Sequence, residues 1–161
     1  MNAPKTSTAS AAEWFSVLAR WLLGGTFLYL GAHKALHPVD FLKLLREYDL
    51  VHHYWYLNAI AAALPWLEIF CGLLLLAGIA VRGTALVAFG LLTTFTAAIF
   101  HRALSLAALK SIAFCAVKFD CGCGNGEVFA CHKLTENSCL LLLAVWLVLS
   151  QSHKLCLRPQ L

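Results

Sequence analysis

Three of the chain's seven cysteines and one histidine fall within DCGCGNGEVFACHK, residues 120 to 133 of 161. Thiols held this close can cycle between dithiol and disulfide, or ligate a soft metal. Cys121 and Cys123 flank Gly122 and precede Gly124, so the backbone there can turn tightly through positive φ. A disulfide needs Cα atoms about 4.4 to 6.8 Å apart, and residues two apart in an extended strand sit near or beyond that limit. A Cys121–Cys123 bridge is therefore expected to be small and strained, and exposed bridges of that kind serve exchange rather than support. Cys131 follows eight residues later and can resolve such a bridge. Lys118, His132 and Lys133 would favour a thiolate, and Asp120 opposes them.

Two other uses of the same residues stay open. Cys131 can form an inert bridge to Cys121 or Cys123 that holds the loop shut. Cys121, Cys123, Cys131 and His132 also supply four soft ligands within twelve residues, although adjacent Cys131 and His132 suit one tetrahedral site poorly. Cys71, Cys115, Cys139 and Cys156 lie in or beside apolar runs and read as packing residues.

The elements that must position this loop are dictated by composition. Hydrophobic residues make up 61% of the chain and charged residues 12%, about half the charged share of a soluble domain. Mean hydropathy is +0.76, and the apolar residues come in blocks rather than at the period of half-buried elements. A spanning helix needs about 20 apolar residues. Four stretches qualify, at about 14–30, 59–80, 84–102 and 138–157, the last only if Lys154 snorkels. Backbone polar groups in lipid must bond within their own segment, so helices follow. The expected fold is all-α, a polytopic four-transmembrane-helix bundle with short interfacial helices. It forms a single domain over 14–157 behind a flexible tail, residues 1–13, and carries the cysteine loop at 118–133.

Between the first two blocks, Phe41, Leu44, Leu45 and Tyr48 recur at helical spacing, with Lys43, Arg46 and Glu47 elsewhere on the wheel. That pattern predicts an amphipathic interfacial helix over 38–49. Residues 103–117 are short and carry Lys110, which fits a continuation of the third helix or an interfacial segment. Only Val81, Arg82 and Gly83 separate the second and third blocks, so those helices are antiparallel neighbours.

Charged residues inside or beside spans are functional candidates. Glu68 is one, although with Pro65 as the first helical residue it would sit in a first turn and complement the helix dipole. Arg20 can snorkel to the interface or pair with Glu68. His33, Lys34, His37, His52 and His53 sit at the expected water boundary, beside an aromatic belt of Tyr54, Trp55 and Tyr56. Neutral histidines there offer a proton route to a quinone headgroup. The net charge of +4 suits anionic lipid headgroups, and no basic run is long enough for nucleic acid. Lys5, Arg82, Lys154 and Arg158 lie near span ends in short segments. By the positive-inside rule, both termini are then cytoplasmic and the cysteine loop extracytoplasmic.

In order along the chain, FLYLGAHKALHPVDFLKLLREYDL, LPWLEIFCGLLLLAG, the Arg82 turn and DCGCG resemble the MauE/DoxX-like membrane proteins over residues 16 to 150. The resemblance implies a four-helix protein of a bacterial inner membrane with a role in thiol or sulfur redox. MauE-like members are linked to disulfide formation in periplasmic enzyme subunits, and DoxX-like members to sulfur oxidation coupled to quinone. By position, Cys121 and Cys123 match the family's cysteine pair, and Lys34, Glu68 and Arg82 its polar positions. Asn125-Gly126, Cys131-His132 and a longer stretch before the cysteines depart from its commoner pattern. The expected function is therefore membrane thiol/disulfide redox serving an extracytoplasmic or membrane protein partner. A non-catalytic assembly subunit with a static bridge is the competing class.

Overall fold

The computed structural model describes residues 11–48, 53–120 and 126–150. In chain order it contains helix α1 (Ala11–Leu36), helix α2 (Pro38–Glu47), helix α3 (Tyr54–Ala77) and helix α4 (Val81–Lys110). A short 3-10 turn (Phe114–Ala116), strands β1 (Lys118–Asp120) and β2 (Glu127–Phe129), and helix α5 (Ala130–Leu149) follow. Helices α1, α3, α4 and α5 are each long and apolar enough to cross a bilayer. The expected polytopic all-α bundle is what forms. Large apolar side chains such as Trp14, Trp21, Trp66, Phe70 and Leu142 project outward, as a lipid solvent permits.

Every long helix departs from its apolar block at one end or both. The fourth does so most, starting at Ala130 rather than 138, because its polar first two turns find partners of their own. Lys133 Nζ lies 2.9 Å from Glu136 Oε2, His132 Nδ1 lies 3.3 Å from Glu136 Oε1, and Asn137 Nδ2 donates to Thr96 Oγ1 at 3.3 Å. Residues 103–110 continue α4. The connection between α3 and α4 is Gly78 to Ala80, with Gly78 left-handed at φ 70° as the helix cap. Arg82 and Gly83 thus belong to the first turn of α4, not to the turn. Helix α2 follows a break at His37, starts on Pro38 and buries Phe41, matching its sequence pattern.

Helix α1 packs chiefly on α3, and α4 on α5. The first of these contacts is a glycine seam. A Cβ at Gly72 would lie 2.8 Å from Gly24 O and Leu28 N, and one at Gly31 would lie 2.8 Å from Pro65 O and 2.9 Å from Glu68 Cβ. These approaches set an antiparallel register that brings the C-terminal third of α1 against the middle of α3. Gly31→Ala is expected to destabilise by about 1 to 3 kcal/mol, because backbone must shift. Gly25→Ala, with nothing within 4 Å of the added carbon, should be neutral or slightly stabilising. Thermal unfolding of both variants in one detergent checks the contrast.

Two apolar cores result. One contains Leu23, Phe27, Cys71, Leu75, Leu92 and Leu147 in the bundle. The other lies at the end where α2 and the hairpin sit, and contains Tyr48, Ile99, Ala103, Val117, Phe119 and Ala130.

Candidate functional site

The cysteine motif is built on a β-hairpin. Strands β1 and β2 pair antiparallel, with Lys118 opposite Phe129, Phe119 opposite Val128 and Asp120 opposite Glu127. The Ala130 N–H donates to the Val117 carbonyl at 3.0 Å and extends the pairing to the helix start. Phe119 points inward while its neighbours Lys118 and Asp120 are exposed, the alternation of a strand lying on a core. Cys121 and Cys123 lie outside the described residues, in the stretch joining Asp120 to Gly126.

At the base of this hairpin Cys131 forms a disulfide with Cys115, with Cα atoms 5.0 Å apart. Neither the resolving thiol nor a bridge to Cys121 or Cys123 describes Cys131 in this state. Cys115 is a bridging residue, not the packing residue expected from its apolar neighbours. The signal was spacing: Cys115 and Cys131 bracket the CGC motif. A metal site using Cys131 loses that sulfur to the bridge, and no cluster of His, Cys, Asp or Glu among the described residues is arranged to hold a metal. His132 is exposed and near Glu136. Of the other cysteines expected to pack, Cys71 is buried and Cys139 is exposed on a spanning helix, both as free thiols, and Cys156 lies outside the described residues.

Beside the hairpin lies a cleft of about 300 Å³ lined by His33, Lys34, His37, Asp40, Phe41, Leu44, Asp120 and Gly126. Its most constrained member is Lys34, which is 7% exposed and approaches Glu68 Oε1 at 2.5 Å. The Lys34 ammonium also lies 4.6 Å from the centroid of the Phe95 ring and 5.4 Å from that of Phe41, a cation cradled by aromatic faces. Glu68 is 1% exposed, and its Oε2 has no hydrogen-bond partner among the described residues. A second buried cation, Lys133, acts electrostatically on Lys34 and is held by Glu136. Two lysines and one carboxylate, Glu68, are therefore buried at this end; Lys133 is held by Glu136, whose own side chain is exposed. His33 and His37 rings are 4.8 Å apart on the cleft wall. His52 lies outside the described residues, and His53 precedes α3 with its ring near Tyr56.

Pro65 lies inside α3, eleven residues after its start, so Glu68 is a mid-helix acid and not a first-turn one. Its partner is Lys34 rather than Arg20 because of the glycine register. Gly31 abuts Glu68, whereas Arg20 precedes Lys34 by fourteen residues, roughly 21 Å of helix rise. Arg20 is buried nearer the opposite end. Arg82 also works there, its Nε donating to the Val148 carbonyl at 3.0 Å and satisfying a helix-terminal acceptor of α5.

Four spanning helices, with a buried ion pair, a polar cleft and a disulfide-based hairpin gathered at one end, define an integral membrane protein. The chain belongs to the MauE family, matching the family of methylamine utilisation protein MauE over residues 12–150. No curated protein and no solved structure matches it.

Proposed function

We propose that this chain is a membrane redox accessory protein whose Cys121 and Cys123 cycle between dithiol and disulfide on the extracytoplasmic side of a bacterial inner membrane. In this reading they support disulfide formation in a partner protein. The observation that carries the reading is positional. The CGC stretch is bounded by Asp120 and Gly126, and both line the cleft that contains Lys34. Thiolate is the reactive form in exchange, and the cleft at the two ends of this stretch gathers the ionisable groups His33, Lys34, His37 and Asp120. Family membership supports an accessory role in a redox system, and the resemblance to MauE and DoxX proteins supplies the thiol chemistry. A quinone headgroup at the His33 and His37 wall is the electron acceptor this reading would use. The competing reading, an assembly subunit with a locked loop, draws on the Cys115–Cys131 bridge at the hairpin base.

The two separate in a redox titration. Purified protein is equilibrated in glutathione buffers, trapped with an alkylating reagent and mapped by mass. Cys121 and Cys123 are expected to pass together from protected to alkylated as the buffer becomes reducing. If their state is unchanged across the series, the exchange reading fails and the assembly role stands.

A further inference from the structure

We propose that the Cys115–Cys131 disulfide is itself a thiol-exchange site, attacked at Cys115 by a thiolate of a dithiol polypeptide and releasing Cys131 as the leaving thiolate. This shares with the reading above only the premise that the chain handles thiols. It requires neither Cys121 nor Cys123.

Accessibility points first to Cys115. It is exposed on the 3-10 turn, whereas Cys131 is half-buried. Leaving-group chemistry points the same way. In exchange the better leaving sulfur is the one that better carries negative charge. Cys131 is the second residue of the 20-residue helix α5, whose first turn contains no acid and whose N-cap, Phe129, makes no side-chain cap hydrogen bond. The Ala130 N–H is taken by the Val117 carbonyl, and the dipole of that helix end, with the N–H groups of the first turn that follow, stabilises a thiolate. Side-chain charge around the bridge is mixed. Lys118, Asp120, Glu127, His132, Lys133 and Glu136 lie on the hairpin and α5, and His101, Arg102 and Lys110 on α4, which packs on both; Lys133 is already held by Glu136, and Arg102 lies 3.9 Å from Glu47. The helix terminus therefore decides which sulfur leaves.

A purely structural role explains less. The hairpin is held by its own pairing, by the Ala130–Val117 hydrogen bond, and by burial of Val117, Phe119 and Ala130. The bridge can open with the hairpin still docked, and an exchanging disulfide must do that repeatedly.

The chemistry balances without a further reagent. The incoming thiolate bonds to Cys115 Sγ, the S–S bond breaks, and its electron pair leaves on Cys131 Sγ. The partner's second thiolate then attacks the partner sulfur of the mixed disulfide and releases Cys115, and both protein thiolates take up protons. Two electrons and two protons pass to this chain, and the partner leaves as a disulfide.

The test uses full-length protein in detergent, as wild type and as the Cys121→Ser/Cys123→Ser double variant. Both are titrated in glutathione buffers with alkylation and mass mapping. Brief exposure to reduced glutathione traps the adduct. The bridge is expected to open within the series in both proteins, with the adduct at Cys115 favoured about tenfold over Cys131. In Cys115→Ser protein, the alkylation rate of Cys131 against pH should have its midpoint at or below about 7.5 instead of the ordinary value of about 8.5. A bridge closed throughout in wild type and variant overturns the proposal. So does an adduct mainly at Cys131, or a Cys131 midpoint at or above the ordinary value. If the bridge opens while wild-type Cys121 and Cys123 stay inert, this inference survives and the preceding reading fails; the converse result separates them the other way.

Discussion

Glu68→Ala is expected to lower stability by about 3 to 5 kcal/mol, since it strands the Lys34 ammonium in a desolvated site. Lys34 is almost fully buried, with Phe95 and Phe41 as its remaining neighbours of opposite electrostatic character. Aromatic faces are worth about 0.5 to 2 kcal/mol to a cation, too little to replace a carboxylate at 2.5 Å. Substituting both members, Lys34→Met with Glu68→Leu, should recover most of the loss, because an apolar pair of similar volume incurs no charge desolvation. Equilibrium unfolding in mixed micelles, run as a double-mutant cycle, gives the coupling directly. Additive losses in the double variant would show that the two side chains act separately. The pair's value is thus expected to be positional: recovered stability without recovered cycling of Cys121 and Cys123 in the glutathione series would tie the buried charge to the proposed exchange.

The identity of that pair marks the boundary of what the sequence discloses. Glu68 stands out as an acid in an apolar run, but both Arg20 and Lys34 are cations on the preceding helix. Choosing between them needs the register of α1 on α3, which is set by contacts of Gly24, Gly31 and Gly72 with backbone. Nothing in local periodicity encodes which glycines meet. Pro65 misleads for a related reason. Pro favours a helix's first position in water, whereas spanning helices tolerate it inside because neighbouring elements compensate the lost hydrogen bond.

The architecture itself was legible, because lipid forces long apolar runs to be helices whatever their neighbours. Helix α2 was legible too, since Phe41 and Tyr48 are buried on one face while Lys43 and Arg46 stay exposed. The start of α5 was not. Ala130 to Asn137 looks like loop by hydropathy, and its helix depends on Lys133 and Asn137 turning inward toward groups on other helices and on its own next turn. Cys115 is hidden on similar grounds: its apolar neighbours argue packing, and only the return of the chain through the hairpin brings Cys131 to it.

Phe119 is the largest side chain this return buries, and Phe119→Ala is expected to loosen the hairpin's docking at a cost of about 3 to 5 kcal/mol. Phe119 is 6% exposed and packs with Tyr48, Ile99, Ala103, Val117 and Ala130, so it joins the hairpin to α4 and to the end of α2. The loss should be local. Hydrogen exchange is expected to accelerate across 117–120 and 126–129 while α3 and the part of α1 that packs in the other core keep their protection. Tyr48 gives this contact a pH limit. Burial raises its hydroxyl above the ordinary tyrosine range, and Arg102 offsets only part of that rise. In the opened state Tyr48 ionises near pH 10, whereas in the docked state it keeps its proton to higher pH. Docking is therefore at full strength below pH 10 and weakens as pH rises above it. Tyr48→Phe should abolish that alkaline weakening and leave the neutral-pH exchange rates nearly unchanged. A hairpin whose protection in wild type is flat through pH 10 to 11 would mean that Tyr48 is not buried against it.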